Sequence, residues 1–306
     1  MIVRSEDGLL IYGESHPVEN PRASLLIIHG IGEHSSRYIE VVKQAHRLRM
    51  DVHLMDLRGH GRSQGVRGHF ESMDQIHQDI DTWIAHLVDN AHLRGDLPLF
   101  ILGHSLGGLI AISYLPKYQK KPMYPELAGL CLSSPALGLR WNPLLLLEKQ
   151  IAKRMPPFLK ALQVPTGMDP NFLSHDKLEV KAYRDDPLVH SWITPSAFLA
   201  MERTMKSLYK IVPQLDLPIL FLLSGRDKVV HTEAAEDFAK KLAVAHPGKI
   251  EVRVFHTFYH EPFHEGKREK AFLELKKWML KCLPKHSKKS SSKSLKKEAT
   301  AKATSL

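Results

Sequence analysis

Cysteine is scarce in this chain: two residues of 306, Cys131 on an apolar run and Cys282 near the end. Two cysteines make no disulfide framework and fit a reducing, cytoplasmic compartment. No stretch of 18 or more apolar residues occurs, and the densest run, Leu144 to Leu147, is far too short to cross a bilayer. The opening residues, Met1-Ile2-Val3-Arg4-Ser5-Glu6-Asp7-Gly8, lack the basic, apolar, small-residue order of a secretory signal. No segment repeats at a period of about 20–50 residues, which argues against a solenoid or propeller. His256, His260 and His264 are spaced four apart, but Pro262 puts them on a loop rather than on a helix face. No metal and no cofactor are expected.

The charge is uneven. Of a net +10, the last 22 residues from Lys285 carry +6, with seven lysines against one glutamate, so the preceding chain is only mildly basic. That tail, KHSKKSSSKSLKKEATAKATSL, has almost no apolar side chain to offset its ordering entropy, and residues 285–306 are expected to be a disordered appendage. Such a polybasic segment serves either as a contact for an anionic membrane surface or as a solubilising extension. Nucleic-acid binding has no aromatic platform to support it.

The rest of the chain suits one large core. Strand-like apolar runs alternate with helical patterns: after Asp51 to Met55 comes Asp74 to His92, where Ile76, Ile80, Trp83, Ile84, Leu87 and Val88 keep the spacing of one helix face. Alternation of this kind predicts an α/β fold, a mostly parallel sheet with helices on both faces. It breaks between Leu137 and Leu215, where Trp141, Leu144 to Leu147, Met155-Pro156-Pro157-Phe158-Leu159, Leu162, Trp192, Phe198, Leu199 and Met201 read as short helices interrupted by prolines. Residues 1–136 and 216–284 are therefore expected to form the core, and 137–215 an inserted helical cap.

The segment with most chemistry is Leu99-Phe100-Ile101-Leu102-Gly103-His104-Ser105-Leu106-Gly107. It is G-x-S-x-G at the end of an apolar strand and before the helical pattern Leu109, Ile110, Ile112, Leu115, where a strand should turn sharply into a helix. Gly103 and Gly107 remove the Cβ atoms that would crowd so tight a turn, leaving the Ser105 hydroxyl at the carboxyl edge of the sheet. A serine hydroxyl needs a base, an acid to orient it and donors for the oxyanion. Asp227 follows the apolar run Pro218 to Leu223, whereas Asp216 lies at the wrong end of that run. A base is offered after Ile250 to Phe255 by His256, His260 or His264. The order Ser, Asp, His is that of α/β-hydrolases.

Two further segments carry a resemblance. Leu26-Ile27-Ile28-His29-Gly30-Ile31-Gly32-Glu33-His34-Ser35-Ser36-Arg37-Tyr38 resembles the HGxGEHSxRY signature of monoacylglycerol lipases and their lysophospholipase-like relatives, and Asp56-Leu57-Arg58-Gly59-His60-Gly61-Arg62-Ser63-Gln64-Gly65 resembles their GHGxSxG loop. The resemblance implies an α/β-hydrolase fold with Ser105 as nucleophile, Asp227 as acid and His260 as base, since the family's YHE and following Glu match Tyr259-His260-Glu261 and Glu265. It also implies an oxyanion hole of the Ile31 and Leu106 backbone N–H groups, as the mechanics of such sites require. His29 and Gly30 would support the oxyanion loop, and His104 would be set by packing in the elbow. Glu33 and Arg37 would pair with other loops at the mouth. Of the other histidines, His16, His46, His53, His77, His86, His92 and His246 are taken as surface or packing residues.

The expected activity is metal-independent hydrolysis of carboxylic esters, with monoacylglycerols as substrate. Lysophospholipids or general carboxylic esters are the alternatives, and a non-catalytic interaction protein on the same fold is a reading of another class. The leucine-rich cap would hold the acyl chain, and cap and tail together would offer contact to a membrane surface.

Overall fold

The structure, a computed structural model, describes residues 1–140 and 143–283, the side chains of 143–148 excepted. The expected basic tail and the side chains of Trp141 and Leu144 to Leu147 lie outside the described residues.

The first half of the chain runs β1 (Ile2–Arg4), β2 (Leu10–His16), β3 (Ala23–Ile28), α1 (Ile39–Arg47), β4 (Met50–Met55), α2 (Met73–Asp89), β5 (Leu99–His104), α3 (Leu106–Tyr118) and β6 (Leu127–Ser133). The second half runs α4 (Pro143–Arg154), β7 (Val164–Pro165), α5 (Lys177–Asp185), β8 (Trp192–Ile193), α6 (Pro195–Ser207), β9 (Ile219–Ser224), α7 (Thr232–Ala245), β10 (Ile250–Phe255) and α8 (Glu269–Cys282). Eight strands form one sheet in the order β1-β2-β4-β3-β5-β6-β9-β10, parallel from β4 to β10 and antiparallel where β2 meets β1 and β4. The parallel sheet with helices on both faces is the architecture expected from the alternation.

Burial explains why the inner strands are so apolar. β3, β4, β5 and β9 are buried at every position, as parallel strands covered on both faces must be. One apolar layer, including Trp83, Ile110, Phe221 and Phe238, lies on one face of the sheet; the other, including Tyr38, Phe100 and Trp278, lies on the opposite face. Two polar residues inside β4 have partners: Asp51 accepts the Val18 N–H at 2.8 Å and His53 Nδ1 meets the Ser15 hydroxyl at 2.8 Å. α2 begins where Ser72 Oγ accepts the Gln75 N–H, and it ends at Asp89 rather than His92 because Ala91 takes a left-handed φ of 56°.

The elements between β6 and β9 lie outside the eight-stranded sheet, and they are not all helical. β7 and β8 pair antiparallel as a two-stranded ribbon, Val164 opposite Ile193 and Pro165 opposite Trp192. The apolar residues of this segment also divide differently. Leu199 and Met201 are buried on α6, whereas Phe158 is 77% exposed and Leu162 54%. The carboxyl ends of β3, β5 and β9 point to one edge of the sheet, where open α/β folds hold their sites.

Candidate active site

Ser105 caps α3 with φ 51° and ψ −116°, a backbone region that residues with a Cβ rarely occupy. Holding it there costs on the order of 1–3 kcal/mol, so neighbouring groups must fix it. They do: the Ser105 N–H donates to Ser133 O at 3.0 Å and the Ser105 carbonyl accepts the Ala136 N–H at 2.9 Å. The glycines on either side are obligatory for a different reason. A Cβ on Gly103 would lie 2.4 Å from Gly107 O, and one on Gly107 would lie 2.1 Å from Ile28 O, so the elbow is close-packed against its own helix and against β3.

Asp227 sits just beyond β9, 2% exposed. Its Oδ1 accepts the N–H groups of Val229 and Val230 at 2.8 and 2.9 Å, and its Oδ2 accepts His260 Nδ1–H at 2.8 Å. Burial alone would raise this carboxyl, but the His260 imidazole and the two N–H donors outweigh it and keep Asp227 below the ordinary carboxylate value. His260 shows the converse. Burial alone would lower it, yet Asp227, with Glu261 and Glu33 nearby, raises it above the ordinary histidine value. Ser105 and His260 line one pocket with Gly30, Ile31, Glu33, His104, Met168, Leu173, Tyr183 and Glu261.

The structure therefore separates the three candidate bases. His260 reaches Asp227. His256 is exposed and has no hydrogen bond to that carboxylate. His264 donates from Nε2 to Arg37 O at 3.0 Å and meets Glu261 Oε2 from Nδ1 at 3.1 Å, so both its nitrogens are engaged elsewhere. His104, expected to be set by packing, is also held by a hydrogen bond from Nδ1 to Ser133 O at 3.0 Å, and burial pushes it down to about 4. Burial thus favours its neutral form.

The loop after β3 carries the oxyanion candidates. His29 donates from Nδ1 to Gly30 O at 2.8 Å and accepts the Leu57 N–H on Nε2 at 2.9 Å, the tethering expected of it. Among the described residues, neither the Ile31 nor the Leu106 N–H donates to any group. The Leu106 N–H belongs to the first turn of α3 and Ile31 lines the pocket that holds Ser105, so the two are candidate oxyanion donors.

Glu33 ties this loop down. Its Oε1 accepts the Gly30 N–H at 2.6 Å and the Tyr38 hydroxyl at 2.7 Å, and its Oε2 accepts Arg37 Nη1–H at 2.6 Å. Arg37 also grips Glu261 with both terminal nitrogens, at 2.8 and 2.7 Å. Burial alone would raise both carboxylates; Arg37 overrides it and keeps both ionised. The sequence led us to expect Glu33 and Arg37 to pair with other loops near the mouth, but did not identify Glu261 as the second carboxylate that Arg37 holds. Its place directly after His260 was the available signal. Met168, Leu173 and Tyr183 gave none, since nothing in the inserted segment fixes which side chains face Ser105.

The family model described as serine aminopeptidase, S33 matches residues 19–267. The chain is 30% identical to an uncharacterized abhydrolase domain-containing protein of Dictyostelium discoideum over 86% of its own length, but it spans only 27% of that protein. It is 26% identical to a monoacylglycerol lipase of Mycolicibacterium smegmatis, covering 90% of this chain and 94% of that one. It is 30% identical to phospholipase YtpA of Bacillus subtilis, covering 83% and 93%. The crystal structure of a Paleococcus ferrophilus monoacylglycerol lipase superposes with a TM-score of 0.72 at 26% identity, covering 89% of this chain and 99% of that one.

Replacing Arg37 with methionine should leave Glu33 and Glu261 buried without their cation and destabilise the protein by about 3–5 kcal/mol in urea unfolding. The loss should shrink as pH falls and the carboxylates take up protons; a loss below about 1 kcal/mol at neutral pH, the worth of an exposed pair, would contradict the assigned role. The strand-to-helix elbow, the sheet order and the family match together identify the chain as an α/β-hydrolase of the serine aminopeptidase S33 family.

Proposed function

We propose that this carboxylic ester hydrolase cleaves the single acyl ester of monoacylglycerols with Ser105, His260 and Asp227 as its triad. The observation that carries the reading is the pair of Ile31 and Leu106 N–H groups, which have no acceptor among the described residues, on either side of a serine held at φ 51°. His260 Nε2 takes the Ser105 proton as Oγ attacks the ester carbonyl, and the two N–H groups receive the oxyanion. The imidazolium then gives its proton to the departing glycerol oxygen. Water deprotonated by the same imidazole releases the fatty acid and restores Ser105. Asp227 remains ionised throughout, holding the Nδ1–H tautomer and balancing the imidazolium charge.

The polar end of the substrate is argued from the pocket lining. It includes two carboxylates, Glu33 and Glu261, both already paired with Arg37, and among the described residues that line it there is no lysine or arginine. A lysophospholipid phosphate would therefore find no cation in the lining to hold it, whereas a glycerol needs none. The likeness to a phospholipase favours the second reading, so the contrast is testable. With matched acyl chains, kcat/KM on a monoacylglycerol should exceed that on a lysophosphatidic acid by more than about tenfold, about 1.4 kcal/mol. Equal or reversed preference would replace the glycerol reading with the phospholipid one.

The segment 137–215 is proposed to act as the cap. It places Met168, Leu173 and Tyr183 in the pocket lining, where Met168 and Leu173 suit an acyl chain. Activity should then climb with chain length by about 0.8 kcal/mol per buried methylene until the groove is full, and Met168→Asp should impair long-chain esters selectively. Flat dependence on chain length would favour a small-ester substrate. Phe158, Leu162, Val164 and Trp192, all exposed on the same segment and its ribbon, suit peripheral contact with a membrane surface. The tail residues 285–306 are proposed to add an electrostatic contribution at anionic lipid.

The titration of His260 gives a sign. A base must be neutral to accept the proton, and its value in this site is raised above 6.5. kcat/KM should therefore rise with pH through an apparent pKa above that value and level off. Asp227→Asn should move the midpoint down, because the carboxylate that raises it is gone, and depress kcat on the order of 10⁴-fold, as in the serine-protease example. A profile flat across neutral pH would contradict His260 as base.

A further inference from the structure

Three imidazoles from three separate loops lie ring against ring beside the oxyanion loop. His29 follows β3, His60 follows β4, and His190 precedes β8 in the inserted segment. The His29 and His60 ring centroids are 5.4 Å apart, and those of His60 and His190 4.7 Å. Each ring is fixed by its own hydrogen bonds. His29 donates to Gly30 O, His60 donates from Nδ1 to Arg58 O at 2.9 Å, and His190 donates from Nε2 to Gly59 O at 3.1 Å while Nδ1 accepts the Trp192 N–H at 3.2 Å.

The first of these bonds sets the direction of an oxyanion donor. Gly30 C=O and Ile31 N–H belong to the same planar trans peptide and point opposite ways, so fixing one aims the other. The far side of Ile31 is fixed as well, since the Gly32 carbonyl accepts the His190 N–H at 2.9 Å. Gly32 itself has φ 77°, and a Cβ there would lie 2.3 Å from His190 O, so the two backbones are in direct contact. Ile31 is thus held between a bond from His29 and a bond from His190. His60 joins the two rings.

We infer that His190, carried by the inserted segment, is a positioning residue for the Ile31 oxyanion donor, acting through the His60 and His29 rings and through the Gly32 carbonyl. The inference rests on the reading of Ile31 N–H as an oxyanion ligand. It makes the inserted segment part of the catalytic scaffold as well as a wall of the pocket. Burial lowers all three rings, His60 well below the ordinary histidine value and His190 to about 4, so the stack is neutral at physiological pH and its rings approach without charge repulsion. The His190 side chain is needed because it anchors the stretch whose backbone reaches Gly32. Without the ring, the bond to Gly59 O and the contact with His60 are both lost.

The test uses the full chain and a short, water-soluble p-nitrophenyl ester, which makes little use of an acyl groove. His190→Ala and His190→Leu should lower kcat about tenfold or more, within the order of 10² that a displacement of about 1 Å can cost, with KM unchanged within about twofold. His190→Gln keeps a flat amide against His60 and an N–H donor for Gly59 O, and should recover most of kcat. The Leu variant preserves volume and covers the case in which Ala does not fold. Ser105→Ala, assayed alongside, separates two failures. Activity surviving Ser105→Ala would sink the catalytic reading itself. Activity abolished by Ser105→Ala but with kcat unchanged in folded His190→Leu, or lowered equally in the Gln variant, would overturn the positioning role alone.

Discussion

A residue with a Cβ stays at φ 51° only where its surroundings hold it, and the reaction centre depends on that constraint at Ser105. The elbow requires Gly103 and Gly107, because both approach backbone oxygens at distances that no Cβ tolerates. It requires β5 to be buried between β3 and β6, since Ser133 at the end of β6 supplies the carbonyl that takes the Ser105 N–H. The same turn starts α3, and so leaves the Leu106 N–H as a first-turn donor without a partner among the described residues. One strained residue thus sets both the Ser105 hydroxyl and the Leu106 N–H.

Charge does the remaining positioning. Glu33, Arg37, Glu261 and His264 come from two loops 224 residues apart in the chain and are joined by buried, charge-assisted bonds. Each carboxylate has a cation within bonding distance, which is the condition for burying charge at all. The network fixes Gly30 through Glu33 and the residue after His260 through Glu261, so the loop after β3 and the loop after β10 share one frame. The inserted segment is joined to this frame: Phe172 and Leu173 carbonyls accept the His260 and Glu261 N–H groups at 3.3 and 2.9 Å, and His34 donates to Asp186 at 2.9 Å.

How far the sequence discloses this depends on whether a feature is local. The parallel sheet was legible because strands buried on both faces must be continuous apolar runs, as Leu99 to Leu102 is. Gly103 to Gly107 and Asp227 after its strand were legible because turn chemistry and catalytic order leave marks over a few residues, whereas His260 was separated from His256 and His264 only through the family resemblance of Tyr259-His260-Glu261. The exit of α2 at Asp89 was not, because the apolar stripe continues past the point where Ala91 turns the backbone. Nor was the β7–β8 ribbon, two residues a side, whose pairing across the 26 residues between Pro165 and Trp192 has no periodicity to read. His190 looked like one of 19 histidines. Its position is set by long-range contacts with Gly32 and His60, which no short window of sequence contains.

The central claim is that Ser105 is the one hydroxyl activated in this protein, and covalent trapping tests it most directly. An alkyl fluorophosphonate should add a single adduct per chain, and peptide mass mapping should place it on Ser105, with Asp227→Asn slowing its formation by orders of magnitude. An adduct on any other residue, or labelling that proceeds unchanged after Ser105→Ala, would contradict the account.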